Sequence, residues 1–494
     1  MAVSRSESPR RRGGWYRLLG ARRPADEACR AADQARQNGT WWQWEQQWGY
    51  HRWGYGEPLA VSVNRKYTNT STGLSRAAAY IGISDLMEGQ YDARFGGYMF
   101  YAPDIEVGAN GCDSVMVIQN SGTECTSVEI WYKEQDNCLR AQIDEISQLA
   151  PGESVVVRPP ANLGPGWIGS AWLRASQPLG IVVDKTCGSV PNQTFQSYNG
   201  VPAETYSNLT DIYNPGSLIA HAPLLFREEY GWETVIHVQN LSSVTNAKVK
   251  VYFYDSVGGI IRTAVDWVCP RGSQDFSLQA INNLPGQYVG AVQIESQDWW
   301  SPGDPPVSAP YIMAVVELRN RTTGQAISYN AFTGGSDALA IPLALKSKTI
   351  TTGNQTLAWN TEISLKNLNI NPGTTNVRLD FYDQNGYVTS VCQALNEKFV
   401  DYIRLQDMGI LPPGWSGSVI IVATCSDQEG GPNIAAVVVE RAVPTTGLPV
   451  PQDLLKAFEA FPIHAGWYRP PVDVGACPGC QSTNCPPANV TFTL

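Results

Sequence analysis

The fold is decided by three short stretches of sequence: VIQNS (117–121), HVQNL (237–241) and SLKNL (364–368). Each one reads as a strand that ends in an amide-rich turn, and their successive Asn residues are 120 and 127 positions apart. Recurrence of a motif at a fixed spacing is the sequence signature of repeated structural units. We therefore predict that the chain contains tandem copies of one unit.

A glycine-rich turn follows each of these stretches in the same order. The turn reads LGPGWIGS (163–170), LPGQYVGA (284–291) and LPPGWSGS (411–418). We match its glycines as Gly166, Gly286 and Gly414 and expect a positive φ at each, next to a buried aromatic ring.

A third marker is an apolar strand that ends in an acid. It reads LGIVVD (179–184), IMAVVE (312–317) and AAVVVE (435–440). We match the acids as Asp184, Glu317 and Glu440. Because they recur in every unit, we interpret them as structural residues and not as catalytic ones.

Between the markers, apolar and polar residues alternate. Val249, Val251 and Phe253 alternate with Lys250, Tyr252 and Tyr254, which is the pattern of strands with one buried and one exposed face. The dipeptide Asn385-Gly386 is typical of a hairpin turn. About seven strands in about 110 residues indicate an immunoglobulin-like sandwich. The predicted fold class is therefore all-β, with tandem immunoglobulin-like antiparallel β-sandwich domains.

The markers also give the domain boundaries. The sequence-predicted segments are an irregular Arg- and Trp-rich stretch at 1–56, a truncated repeat with a linker at 57–96, sandwich repeats at 97–205, 218–333 and 338–446, and a Pro- and Cys-rich tail at 447–494. Within the tail, DLLKAFEAF (453–461) is predicted to form a short helix. Residues 1–56 carry no repeat marker, and we interpret them as a misassigned gene start, with a basic aromatic arm or a disordered tail as alternatives.

Composition limits the possible functions. The net charge of −10 does not favour nucleic acid as a partner, and no stretch has the 18 or so apolar residues of a membrane span. The motifs GxSxG, HExxH and the Walker loop are missing from the sequence. We therefore expect a protein that is not an enzyme and that needs no cofactor or metal.

The QN turn, the FYD strand at 381–383 and the closing VVVE strand resemble the tandem β-sandwich repeat proteins of bacterial cell surfaces and secreted bacterial proteins. That resemblance covers residues 57–446. It implies a structural or adhesive scaffold, located outside the cell or on its surface, that has surface glycans or envelope proteins as partners. It implies no specific activity.

An insertion in the second repeat suggests an alternative function. SQDWWSPGDPPVSAP (296–310) places Trp299 and Trp300 side by side on a loop, whereas the first repeat has only ASQP (175–178) there. Exposed aromatic rings stack on sugars or anchor protein partners. The alternative is thus a carbohydrate- or protein-binding module that accompanies a secreted enzyme, and an enzyme with an unrecognised site is the third hypothesis.

Eleven cysteines indicate an oxidising compartment. Successive antiparallel strands start at opposite ends of a sandwich, which places Cys112 and Cys138 at one end of the first repeat. We expect these two to pair, with Cys187 as the competitor. The same reasoning predicts a Cys392–Cys425 bridge in the third repeat.

Overall fold

The computed structural model describes strands 62–68 and 75–81 and most of the chain from Tyr91 to Ile463. Within that last range the gaps are 93–95, 136, 139–140, 189–192, 203–216, 230, 256–257, 299–306, 321–324, 353–354, 370–372, 397–399, 427–431 and 445–453. The described residues form strands joined by turns, with two single 3-10 turns and no α-helix, and all the strand pairings are antiparallel. The predicted all-β sandwich class is confirmed.

The strands fall into one hairpin and three larger groups, which we call unit 1, unit 2 and unit 3. The hairpin consists of β1 (Ser62–Thr68) and β2 (Ser75–Ile81).

Unit 1 consists of β3 (Tyr91–Asp92), β4 (Gly97–Ala109), β5 (Cys112–Asn120), β6 (Thr126–Glu134), β7 (Ala141–Leu149), β8 (Ser154–Val157), β9 (Trp167–Ala175), β10 (Leu179–Cys187), β11 (Thr194–Asn199) and β12 (Val201–Pro202). Unit 2 consists of β13 (Ile219–Glu229), β14 (Trp232–Asn240), β15 (Ala247–Tyr254), β16 (Ile260–Val268), β17 (Ser273–Ser277), β18 (Tyr288–Gln297), β19 (Ile312–Asn320) and β20 (Gln325–Asn330).

Unit 3 consists of β21 (Ala338–Leu345), β22 (Lys348–Thr352), β23 (Gln355–Asn367), β24 (Thr374–Asp383), β25 (Gly386–Asn396), β26 (Val400–Arg404), β27 (Ser416–Ser426), β28 (Ile434–Pro444), β29 (Leu454–Glu459) and β30 (Phe461–Ile463). It forms two sheets, ordered β25-β24-β27-β21-β30 and β22-β23-β28-β29. In unit 1 the strand order is β11-β10-β5-β4-β9-β6-β7. Unit 2 has the corresponding order, β20-β19-β14-β13-β18-β15-β16.

Each unit has its own apolar core, because the alternating side chains of its strands face inward on one side. Val128, Ile130 and Tyr132 of β6 are fully buried in the core of unit 1, and Val249 and Val251 of β15 occupy the same kind of position in unit 2. Burial of several such side chains, each contributing roughly 1.5–3 kcal/mol, is what holds a sandwich of this size together.

The marker Asn closes the strand of each unit in the same way. The side-chain amide of Asn120 donates to the carbonyls of Glu124 and Leu149, and its Oδ1 accepts the amide N–H of Gly122. Asn240 makes the three matching bonds in its own turn, and Asn367 donates to the carbonyl of Leu395 and accepts the N–H of Asn369. A fully buried amide must satisfy its polar atoms, so Asn is retained here to hold the turn.

A bulge interrupts the first long strand of every unit, directly at a proline. The register of β4 shifts between Ala102 and Ile105, around Pro103, and β13 and β21 shift at the corresponding prolines. In units 1 and 2 a buried tyrosine fixes the bulge. The hydroxyl of Tyr198 donates to the carbonyl of Asp104 and accepts its N–H, as Tyr329 does at Leu224. The bulge re-aims the strand at the point where Asp104 lies.

The units are packed against one another and are not strung out along the chain. Strand β11 contacts β20, β20 contacts β29, β29 contacts β2, and β2 contacts β11. Each of these four strands therefore contacts two of the others, and together they form a closed ring. Unit 2 packs against unit 1 on one side and against unit 3 on the other, and we call these contacts junction 1–2 and junction 2–3.

Three sequence-based expectations about local structure are wrong. Residues 454–459 form strand β29, not a helix, and pair with β28. Phe458 packs into the core of unit 3 while Ala457 packs against that of unit 2, so both faces are buried and no polar alternation marks the strand. In the second glycine-rich turn the residue with positive φ is Gln287, and not Gly286 as expected. Gly166 and Gly414 have the expected positive φ.

The third correction concerns the matching of Glu440 to Asp184 and Glu317. The residues that face the marker Asn across the sheet are Leu179, Ile312 and Ile434. Counted from these, Asp184 and Glu317 correspond to Val439, and Glu440 corresponds to Lys185. Because neighbours in a strand point to opposite faces, this shift of one residue places Glu440 on the other side of the sheet.

Candidate functional site: a buried ion cluster between units 1 and 2

A lysine buried in junction 1–2 is surrounded by carboxylates. Nζ of Lys185 lies 2.5 Å from Oδ2 of Asp104, 2.8 Å from Oε1 of Glu106 and 2.7 Å from Oε2 of Glu317. The first two acids belong to unit 1 and the third to unit 2. All four residues are at most 3% exposed. An ammonium has three protons to donate, and each one meets a different carboxylate.

The strand that carries each of these side chains determines where the side chain lies. The bulge in β4 lies at Asp104, Glu106 follows two residues later, and Lys185 lies in β10, two residues before that strand ends. From unit 2, β14 and β19 pair in register, with His237 opposite Val315 and Val235 opposite Glu317. The cluster therefore exists only where the two units meet.

Glu317 is the most heavily hydrogen-bonded acid of the cluster. It accepts from Lys185, from Gln196 of unit 1 at 2.5 Å and from the Arg319 guanidinium. Nε2 of His237 lies 3.3 Å from its Oε2. Burial opposes ionisation of Glu317, but Lys185 and Arg319 outweigh it and hold the pKa of Glu317 well below its usual range.

The other acid from β4 behaves in the opposite way. Burial raises the pKa of Glu106 above its ordinary value, Lys185 opposes that shift, and the charges of Asp104 and Glu317 add to it. Among the described residues, Oε2 of Glu106 and Oδ1 of Asp104 have no hydrogen-bond partner. Glu106 is therefore easier to protonate than a free glutamic acid.

His237 lies on the unit 2 side of the cluster. Its Nδ1 is 2.7 Å from Oδ1 of Asp275, and its Nε2 is 3.6 Å from Oδ2 of Asp104. Burial favours the neutral ring, but Asp104 and Asp275 outweigh it and raise the pKa of His237 to about 10. The imidazolium is therefore a second buried cation.

Asp104, His237 and Glu317 together offer a donor set that divalent metals accept, with ligand atoms within 4.8 Å of one another. The residues present do not fit a metal, because Nζ of Lys185 already lies within hydrogen-bonding distance of both carboxylates of that trio. The cation around which these acids are arranged is Lys185.

Around the cluster, junction 1–2 combines polar contacts, a disulfide and a small apolar cluster in which Met99 of unit 1 packs near Met313 of unit 2. The Arg271 guanidinium of unit 2 stacks over Trp172 of unit 1, 4.1 Å from the ring centroid, and donates to the hydroxyl of Tyr101. A disulfide joins Cys138 of unit 1 to Cys269 of unit 2.

Junction 2–3 is built differently. Val437, Val439 and Ala457 of unit 3 pack into the apolar core of unit 2. Ser364 donates to the carbonyl of Pro223 at 3.0 Å. At the same junction, burial lowers the pKa of His221 to about 3, and the charge of Lys366 adds to this shift.

Of the two sequence-predicted disulfides, one is wrong and the other stays a prediction. The Cys112–Cys138 pair is wrong, because the structure joins Cys112 to Cys187 and Cys138 to Cys269. Cys112 and Cys187 face each other directly across β5 and β10, with their Cα atoms 3.9 Å apart. Cys138, after β6, belongs to a different part of the sheet. The side chain of Cys425 lies outside the described residues, so the Cys392–Cys425 bridge stays a prediction.

Trp299 and Trp300, the predicted ligand-binding residues, also lie outside the described residues. Sequence reasoning missed the buried cluster, although one signal for it exists. Asp104 and Glu106 interrupt the apolar stretch YMFYAPDIEV (98–107), and Lys185 follows LGIVVD. A charge inside an otherwise buried strand needs a buried partner, and that requirement identifies these residues as a group.

Comparisons with known proteins add little. No family model matches the sequence, and no curated protein matches it. Among solved structures, the chain is similar to the crystal structure of Thermotoga maritima 1070, with 18% sequence identity over 21% of this chain and 93% of that chain, and a TM-score of 0.19. A likeness this weak carries no argument about function.

Proposed function

We propose that the protein is a structural scaffold in which β-sandwich units are locked into one rigid body outside the cytoplasm. The observation that carries the proposal is the Lys185 cluster. Its acids come from two units, and its charged groups are bonded to one another across junction 1–2. A buried cluster whose acids and cations are paired with one another suits fixed geometry better than turnover.

The remaining contacts support the same function. One disulfide links unit 1 to unit 2, and another closes unit 1. Disulfides persist mainly in oxidising environments, which supports a location at the cell surface or beyond it. In the part of the chain that the structure describes, no helix has the length and apolar character to cross a membrane.

Rigidity can be measured by small-angle X-ray scattering on the full chain, together with calorimetry. We expect scattering that one compact shape fits, and a single melting transition for units 1 and 2. Scattering that requires an ensemble of independently moving units, or separate transitions for the two units, would contradict the proposal.

The control is a chain with an exposed ion pair removed, Asp407→Asn. Its partner is Arg404, and the Arg404 and Asp407 side chains are 48% and 56% exposed. Because exposed ion pairs contribute little, this variant is expected to scatter and melt as the unaltered chain does.

A further inference from the structure

We propose that the outer edge of unit 2 binds a second copy of this chain, by antiparallel pairing of β16 with its own counterpart. This inference goes beyond the proposed scaffold function, because it names a partner for the scaffold. Strand β16 (Ile260–Val268) lies at the end of its sheet, and among the described residues only β15 pairs with it. An edge strand of this kind presents a row of N–H and C=O groups that another strand can bind.

The edge also exposes apolar side chains that lie outside the core of unit 2. Ile260, Val265 and Trp267 are between 47% and 54% exposed. Three large apolar side chains on one nine-residue edge strand are an aggregation hazard for a protein that stays alone. A partner strand that pairs along β16 would cover part of this surface, and the exposure therefore favours such a partner.

The charges of β16 indicate that this partner is β16 itself. The strand reads IIRTAVDWV, with Arg262 and Asp266 placed symmetrically about Ala264. In an antiparallel pair centred on Ala264, Arg262 of each copy therefore faces Asp266 of the other. Opposite charges that face each other stabilise a strand pair, and like charges destabilise it. The same register sets Ile261 opposite Trp267, so apolar side chains meet as well, and the interface has the twofold symmetry of most dimers.

Both charged side chains lack an opposite charge within the chain. They are four residues apart in one strand and so point to the same face of the sheet. Nε of Arg262 is buried and has no hydrogen-bond partner among the described residues. The carboxylate of Asp266 accepts from Nε2 of Gln274 at 3.2 Å and from the backbone N–H of Trp267 at 2.8 Å. Both donors are neutral, so the second copy would supply the opposite charge that each side chain lacks in the described part of the chain.

The corresponding edge strands of units 1 and 3 do not have this complementarity. Strand β7 of unit 1 carries Asp144 and Glu145 at its middle, where an antiparallel copy would bring like charges together. Strand β25 of unit 3 carries no charged residue, so no charge pair fixes the register of a partner strand. The self-complementary edge is therefore specific to unit 2.

Sedimentation velocity on the full chain tests the proposal, and we expect a dimer at micromolar concentration. The variants Arg262→Asp and Asp266→Arg each set like charges opposite one another at two points of the interface. We expect each variant to raise the dissociation constant of the dimer by about tenfold or more. A one-to-one mixture of the two variants restores the opposite charges and is expected to dimerise as the unaltered chain does.

Three results would overturn the proposal: an unaltered chain that stays monomeric, a dimer that both variants retain, and a mixture that does not recover. Recovery in the mixture also shows that both variants are folded. The control Asp407→Arg reverses an exposed charge of unit 3 and is expected to leave the dimer intact.

A cysteine on the twofold axis tests the register directly. Ala264→Cys places each new thiol opposite its own counterpart, where Cα atoms of an antiparallel pair are about 4.5–5.5 Å apart, within reach of a disulfide. Non-reducing electrophoresis is expected to show a covalent dimer. Ile260→Cys is the matched control, because its two copies would lie roughly 26 Å apart along the strands. Equal cross-linking of the two variants would contradict the pairing.

Scattering judges the scaffold proposal separately. A monomeric chain that still scatters as one compact shape would sink the dimer and leave the scaffold standing. A dimer whose units move independently would have the opposite meaning.

Discussion

Junction 1–2 and junction 2–3 join similar units by different mixtures of contacts, although apolar side chains such as Met99 and Met313 also meet at junction 1–2. The first buries Lys185 and His237 among acids and is bridged by the Cys138–Cys269 disulfide. At the second, Val437 and Val439 pack into the core of unit 2, and His221 is neutral because burial lowers its pKa. The comparison teaches that similar sandwich faces can be held by ion pairs or by apolar packing. The first solution fixes one geometry, since every ion must find its partner, while the second depends mainly on the area buried.

The largest expected effect comes from removing the central cation of junction 1–2. Lys185→Met leaves three buried carboxylates without the cation that contacts all of them, and we expect a loss of about 3–5 kcal/mol in the free energy of unfolding. Urea denaturation measures it. The control Asp407→Asn, in the exposed pair with Arg404, should change stability by less than about 1 kcal/mol. A similarly small loss for Lys185→Met would show that the cluster does not hold the junction.

The second effect concerns the covalent link that only junction 1–2 has among the described residues. Replacing both Cys138 and Cys269 by Ser is expected to cost roughly 2–4 kcal/mol. It should also weaken the coupling between the melting of units 1 and 2. The control is the double replacement of Cys112 and Cys187, whose bridge lies within unit 1 and should leave that coupling intact. Free thiols at Cys138 and Cys269 in protein from its native compartment would contradict the pairing.

The third effect tests apolar packing at junction 2–3. Val437→Ala removes two methyl groups from the core shared with unit 2, and we expect a loss of about 2 kcal/mol from lost burial and the remaining cavity. Val156→Ala is the matched control, because Val156 is 62% exposed and its truncation should cost less than about 0.5 kcal/mol. Equal effects of the two substitutions in urea denaturation would mean that unit 3 is not packed onto unit 2.

Much of the local architecture is readable from the sequence. Period-two alternation identified strands such as β6 and β15, and the marker Asn indicated the turn that Asn120 closes with its own side chain. These features depend on residues close together in the chain. The register of β28 does not follow from nearby residues. The sequence pattern aligns Glu440 with Asp184, whereas the cross-strand partners show that Glu440 corresponds to Lys185.

The site was out of reach of the sequence for a related reason. Strand direction alone does not indicate which strands lie side by side, and Cys112 pairs with Cys187, directly opposite it across β5 and β10, and not with Cys138. The Lys185 cluster needs one further level of information. Its acids lie about 80 positions before Lys185 and about 130 after it and meet only because unit 1 packs on unit 2. No local pattern encodes that contact.

The last prediction is a contrast in pH dependence between the two buried histidines, and its effect on stability is the smallest when counted per pH unit. His237, in junction 1–2, has a pKa raised to about 10, so its contribution to stability is fully present below the unfolded value of about 6.5 and is lost as the pH rises from there toward 10. His221, in junction 2–3, has a pKa lowered to about 3. Its contribution is present above about pH 6.5 and is lost as the pH falls toward 3. Each slope should approach about 1.4 kcal/mol per pH unit. The measurement is the free energy of unfolding between pH 4 and pH 9 for the unaltered chain, His237→Gln and His221→Gln. The first variant should lose the slope on the alkaline side and the second the slope on the acidic side, so that each serves as the control for the other. If both variants flattened the same limb, the two junctions would not differ in the charge of their histidines, and the contrast between an ionic and an apolar junction would fail at this point.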